Sequence, residues 1–390
     1  MQRLTTEQRR ARVGVRHQLA AKANGLAPAA IVTELVALHA TDVASVYLSL
    51  AARATDVHPD AITAALYDDR TLIRMLGMRR TMFVVPTESA AVVQHSSSAA
   101  VAARLRRALV KELGVVLSDP DPWLAALEDS VVDLLRSSGG MTGVALGKAD
   151  DRLRTQLSYA VGKSYGGPAA INSRVLNILS AQGRIVRGRP TGGWTGSRYV
   201  WAPVENWLPD GLPELPQEVA RAELVRQWLA RFGPGTLADL VWWTGWNQGD
   251  TRRALAAVET AEVDLDGATG FVLASDAEDV QPAPPWVALL PALDPTPMGW
   301  FDRDWYLPAA HRAVLFDRTG NIGPSIWCNG RIVGGWAQRT DGIIGWRLLE
   351  DIGTEMTAAV DAEAARLTEW LAGVRVIPSF RTPLERELAV

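Results

Sequence analysis

Four consecutive residues of this chain bring together a base, a hydroxyl and a carboxylate: His39-Ala40-Thr41-Asp42. An imidazole can accept a proton near neutral pH. A hydroxyl can hold a water, and a carboxylate can accept a hydrogen bond from it. Together they could orient a water for attack on an electrophilic carbon. The apolar residues around them, Leu35, Leu38, Val43, Val46, Tyr47 and Leu50, recur mostly at three- and four-residue intervals. That spacing predicts two helical pieces with a polar break between them. Thr41 or Asp42 would cap the second piece, and His39 would project from the last turn of the first. The free amides of a helix start would help to hold a water there. The same residues also have a plainer reading, as a helix start beside a packed histidine.

The elements that must position this break are spread over 390 residues, more than one core usually holds, so several domains are expected. The composition is that of a globular protein with a formal charge of −3. No run of eighteen apolar residues spans a membrane. The start, Met1-Gln2-Arg3-Leu4, has no apolar signal region. A cytoplasmic, monomeric protein is the expectation. Cys328 is the one cysteine, which excludes an internal disulfide framework and a thiolate zinc cluster. No metal and no cofactor are expected. Gly162-Lys163-Ser164 has the look of a phosphate-loop ending, but the upstream glycine spacing is missing, so no nucleotide site is assigned. Most of the 15 tryptophans are expected in cores.

Charge is segregated along the chain. Between Arg70 and Arg107 there are seven arginines and one acid, Glu88. Between Ile171 and Tyr199 there are five arginines and no acid. Separation of sign, more than net charge, steers a polyanion to one face. The bland alternative is that these arginines coat solvated helices.

Helical periodicity followed by strand-like runs recurs three times. Pro59 to Tyr67 reads as a helix, and Thr71 to Pro86 as a short helix and a strand. Lys148 to Val161 and Ile171 to Gly183 read as helices, followed by a basic hairpin through Arg184, Arg187, Arg189, Trp194 and Arg198. Thr236 would cap a helix ending near Trp243, and Val263 to Leu273 reads as a hairpin. Pro203–Pro216 and Ser275–Pro285 read as linkers. From Trp286 the pattern changes to short alternating strands with a tight-turn signal at Asn329-Gly330, then a helix from Ala358 to Leu371. The expected architecture is α+β: three tandem winged-helix domains (1–118, 119–212, 213–284) and a small C-terminal β barrel with a helix (285–390).

Five stretches in order carry a resemblance. They are Leu38-His39-Ala40-Thr41-Asp42, Met78 to Val84, Phe232-Gly233-Pro234 with Asp239 and Trp243-Thr244-Gly245, Leu290 to Pro295, and Gly330 to Trp336. Together they resemble the winged-helix DNA glycosylase family of bacteria, the AlkZ and YcaQ type. The resemblance implies a C-shaped clamp around duplex DNA and release of alkylated purines or unhooking of interstrand crosslinks. The family's catalytic motif, Gln-apolar-Gln or Gln-apolar-Asp, falls where this chain has His39-Ala40-Thr41. In the second motif Phe83 stands where the family often has His.

Three functions therefore stand open on sequence. The first is a monofunctional DNA glycosylase acting on bulky N7 or N3 adducts or crosslinks. His39, Thr41 and Asp42 would be its catalytic group. Arg53, Arg79, Arg80, Thr81, Arg184, Arg187, Arg189, Trp194 and Arg198 would contact double-stranded DNA. The second is a winged-helix DNA-binding protein without chemistry, a regulator or lesion binder. The third is a scaffold turned to a small-molecule or protein partner. Asp294 and Arg303 are expected to pair and brace the barrel, and His95 and His311 to be structural.

Overall fold

The computed structural model describes residues 2–159, 167–276 and 283–390. Gly162-Lys163-Ser164 and most of the linker expected at 275–285 lie outside them. The fold is a mixture of helices and mainly antiparallel sheets in which short sheets alternate with helices along the chain.

The first sheet pairs Leu38–His39 with Met82–Pro86, and that strand with Leu72–Leu76. Helices Pro28–Thr33, Val43–Ala51 and Pro59–Tyr67 precede or interrupt it. Their apolar faces (Ile31, Val46, Tyr47, Leu50, Ile62 and Leu66) close a core with Leu35, Leu38, Leu72 and Val84. The periodicity around the opening motif thus marks real helices. However, Leu38–His39 is a strand and not the last turn of a helix. Two residues are too few to show a period of two, and pairing with Val84 and Phe83 decides the conformation.

The second sheet orders Met141–Thr142, Tyr199–Pro203 and Ile185–Pro190. Thr142 caps the helix Gly143–Ala149 by accepting from Ala145 N. Helix Asn172–Ala181 leads into the basic hairpin. No helix runs over the described part of the expected span Lys148 to Val161: Lys148 and Ala149 end the helix Gly143–Ala149, Asp151–Arg154 is a single tight turn, and residues 160 and 161 lie outside the described ones. Gln156–Tyr159 is instead a strand paired with Gly167–Ala170.

In the third sheet Thr260–Leu265 and Ala268–Leu273 form the expected hairpin. Gly235–Thr236 pairs along one edge of it, and Gln2–Arg3 joins the other edge in parallel. The chain's first residues therefore belong to this sheet. Thr236 and Asp239 form a reciprocal cap on the helix Leu237–Thr244.

The C-terminal sheet is open. Val287–Leu290, Ser325–Cys328, Arg331–Gln338 and Ile344–Leu348 run in that order, and the two outer strands do not pair with each other. Among the described residues these strands form no closed barrel, where the strand pattern led to the expectation of a small β barrel with a helix. The helix Thr354–Leu371 covers one face with Val360, Ala364, Leu367 and Leu371. At the hairpin tip Asn329 and Gly330 take φ of 49° and 81°, the double left-handed turn that Asn-Gly favours.

A chain of aromatic rings joins the third and fourth sheets: Trp228, Phe232, Trp243, Trp300, Trp305, Tyr306 and Trp327. These sit in one core that also takes Met75, Met78 and Phe83 from the first sheet. Among the described residues no helix is long and apolar enough to cross a membrane.

Candidate active-site cleft

Asp42 caps the helix Val43–Ala51, its Oδ1 accepting from Ala44 N at 3.1 Å. Its Oδ2 accepts from Ser379 N at 2.9 Å, so one carboxylate joins the first module to the C-terminal segment. Each oxygen keeps a second lone pair. Beside it, Thr41 is exposed.

Both residues line a cleft of about 360 Å³ whose other walls come from distant parts of the chain. Arg74 enters from the first sheet, and Arg187 and Tyr199 from the second. The turn Thr195-Gly196-Ser197 forms the hairpin side, and Arg375, Ile377 and Ser379 form the C-terminal side. The volume is within the range of small-molecule sites.

Arg74 is buried and donates from Nε and Nη2 to Ala40 O, at 3.1 and 2.6 Å. Its guanidinium thereby grips the backbone of the motif. Burial, and then the nearby Arg187, lowers its pKa to about 10, so it stays charged at neutral pH. Arg187 lies over Tyr199 at 4.8 Å and Trp201 at 5.5 Å, and burial lowers its pKa too. Neither residue has a carboxylate partner among the ion pairs of the described residues. The cleft is thus cationic at its walls and carries one carboxylate, Asp42, at its edge.

His39 does not line this cleft. Its ring packs 5.2 Å from Phe83, the residue is 8 % exposed, and its buried Nδ1 has no hydrogen-bond partner. Burial, and then the charge of Arg79, lowers its pKa to about 3. It is a neutral imidazole across the physiological range. The strand alternation accounts for this: Leu38 faces the core of the first module, and His39 faces the opposite way, toward Phe83 and Met75.

The arginines proposed from sequence separate into distinct environments. Arg53 is fully buried. Its Nη1 and Nη2 reach Asp294 at 2.7 Å each and donate to Ser49 O and Thr296 Oγ1 at 2.8 Å. It therefore has no free face for a phosphate, and the expected pairing of Asp294 with Arg303 is replaced by this one. Arg303 instead stacks on Trp242 and Phe316. Arg184 pairs with Asp129 at 2.7 Å and Arg189 with Asp68 at 2.5 Å. Thr81 turns its hydroxyl to Met78 O. Trp194 stacks on Tyr47 at 4.8 Å and meets Trp370 edge-on at 5.9 Å, so it pins the hairpin to two modules and is not a free tip. Arg198 stays exposed.

Arg79 and Arg80 border a second cleft, of about 590 Å³, with Arg104, Arg221, Ser97 and Asn247. Arg79 lies over Trp242 at 4.1 Å, and burial followed by the charge of Arg303 lowers its pKa to about 10. Both Arg79 and Arg80 adopt left-handed backbone, with φ of 52° and 62°. Gly245 accommodates this turn, since a Cβ there would come within 3.2 Å of Arg79.

Sequence reasoning counted Arg74 among the basic residues without giving it a role, and it passed over Tyr199, Ser197, Arg375 and Ile377. Arg74 did carry a signal, a charge inside the apolar strand Leu72–Leu76. Arg375 lies in a segment with no period to read.

Fold and clefts together define a protein of several helix-and-sheet modules that share arginine-lined clefts. The chain belongs to the AlkZ-like DNA glycosylase family, whose profile (DNA glycosylase AlkZ-like) matches residues 32–370. The solved structure of the Streptomyces sahachiroi DNA glycosylase AlkZ is similar, with a TM-score of 0.74 at 19 % identity, covering 96 % of this chain and 99 % of that one. That likeness is one of fold. No curated protein sequence matches the chain.

Proposed function

We propose that the protein is a monofunctional DNA glycosylase that releases alkylated purines from duplex DNA, with the cleft at Thr41 and Asp42 as its active site. The observation that carries this reading is the placement of an exposed hydroxyl and a carboxylate at the edge of a cationic cleft. Membership of a DNA glycosylase family supplies the reaction class. The sheet-and-helix modules are read as three winged helices that together hold the duplex.

An N7-alkylated purine is cationic and a good leaving group. The bond between the anomeric carbon and N9 breaks, its electron pair leaves with the purine, and a water oxygen bonds to the anomeric carbon. The free lone pairs of Asp42 and the Thr41 hydroxyl hold that water, and the carboxylate takes up its proton. The carboxylate also faces the positive charge that develops on the sugar. Arg74, Arg187 and Arg375 hold backbone phosphates on either side. Threonine is not a base near neutral pH, so the carboxylate is the acceptor. His39, buried and neutral, supports the motif strand and does not touch the water.

The test is incubation of the full chain with duplex carrying N7-methylguanine or a bulkier N7 adduct. Free base should appear and leave an abasic site. Duplex binding that tightens at low salt, without base release, would instead favour the reading as a lesion binder.

A further inference from the structure

After the helix Thr354–Leu371 the chain continues as an extended strap, residues 374–380, in which half-buried and exposed positions alternate. Val374, Val376, Pro378 and Phe380 are half-buried, and Arg375, Ile377 and Ser379 are exposed. The strap lies beyond residue 370, where the family match ends. Val374 N donates to Leu371 O at 2.8 Å, and three further hydrogen bonds with side chains hold the strap's backbone. The buried Gln338 donates from Nε2 to Val374 O at 2.9 Å and accepts from Val376 N at 2.8 Å. Ser379 N donates to Asp42 at 2.9 Å. The Gln338 amide thus serves the strap as a neighbouring strand would. With the backbone fixed, the two-residue alternation half-buries one edge and exposes the other.

The exposed edge carries Arg375, Ile377 and Ser379, which line the cleft together with Val376 and with Arg74, Arg187 and Thr41. Ile377 is 61 % exposed. A lone exposed aliphatic residue is ordinary on a surface. Here it stands on a clipped backbone, between a cation and a hydroxyl, at the mouth of a cleft lined by arginine. Its β-branched side chain has little rotamer freedom to lose.

We propose that Ile377 is a wedge that enters a base step of bound duplex while Arg375 holds the adjoining phosphate. The inference rests on the reading of the cleft as a DNA site. It gives that site a reading element which makes the sugar of an unstacked nucleotide accessible to Asp42. Apolar wedges flanked by cations open base steps in this way in other DNA-bending proteins.

The test uses the full chain and a duplex with 2-aminopurine beside a 2′-fluoro N7-methylguanine, which resists release, so the readout is independent of catalysis. Binding is followed by anisotropy and unstacking by 2-aminopurine fluorescence. Wild-type protein should raise the fluorescence severalfold on binding. Ile377→Ser should remove that rise with affinity kept within about threefold. Arg375→Gln should keep the rise at saturation and reduce the salt dependence of binding by about one unit. Gln338→Leu, which unclips the strap, should lower the rise as well. Binding by wild type without a rise, or an equal rise with Ile377→Ser, overturns the wedge and leaves the glycosylase reading standing. Failure of the wild type to bind duplex overturns both.

Discussion

Arg53 and Asp294 meet in the interior through two contacts of 2.7 Å, with both side chains fully shielded from solvent. Ser49 Oγ donates to the same carboxylate at 2.8 Å, and Thr296 N donates at 2.9 Å. The pair therefore locks the helix that begins at Asp42 to the segment entering the C-terminal sheet. Removing one partner leaves an uncompensated buried charge. Asp294→Ala should cost about 3–5 kcal/mol. Urea denaturation should show the loss, and a drop under about 1 kcal/mol would mean that the pair does not hold the two parts together.

His39 makes stability depend on pH. Its folded-state pKa is about 3 against an ordinary 6.5, so the unfolded chain takes up a proton first as pH falls. The stabilisation is complete above pH 6.5 and is lost as the pH drops toward 3. The slope from this one group is about 1.4 kcal/mol per pH unit. His17, buried and also lowered, adds a slope of the same sign. His39→Leu should reduce the acid-side slope of unfolding free energy by about one proton's worth while His17 keeps its own. An unchanged slope would place His39 in solvent.

Arg187 and Arg198 sit on the same hairpin with different surroundings. Arg187 is stacked on Tyr199 at the cleft wall, and Arg198 is exposed. Of the two, Arg187 is held in place by its stacking. Arg187→Gln should lower duplex affinity about tenfold and reduce the slope of log affinity against log salt by about one. Arg198→Gln should have the smaller effect on affinity. Equal effects would mean that the hairpin contributes charge without geometry.

Gly245 fits the left-handed turn at Arg79 and Arg80 because it has no Cβ, and its own φ is +74°. Gly245→Ala should destabilise by about 1 kcal/mol through backbone strain alone. Crowding against Arg79 should add to that. Thermal unfolding would measure it, and a neutral result would mean the turn moves freely.

The architecture was legible where the sequence carries its own local rule. The cap at Thr142, the cap at Thr236, the Asn329-Gly330 turn and the helix before the basic hairpin are of this kind. The strand Leu38–His39 was not, because a two-residue strand is defined only by its partner Phe83-Val84. Nor was the burial of Arg53, whose carboxylate partner lies 241 positions away. The open form of the C-terminal sheet depends on strand count and curvature, which periodicity does not report. The opening motif offered four adjacent residues as one candidate group. The structure divides them, sending His39 inward while Thr41 and Asp42 border the cleft.

The central claim is that Asp42 holds the attacking water. Single-turnover release of N7-methylguanine from duplex tests it most directly, comparing wild type, Asp42→Asn and His39→Gln, with duplex affinity measured in parallel. Asp42→Asn should slow release by about a hundredfold or more with affinity nearly unchanged, and His39→Gln should stay within about tenfold of wild type. Release by Asp42→Asn at the wild-type rate would contradict it.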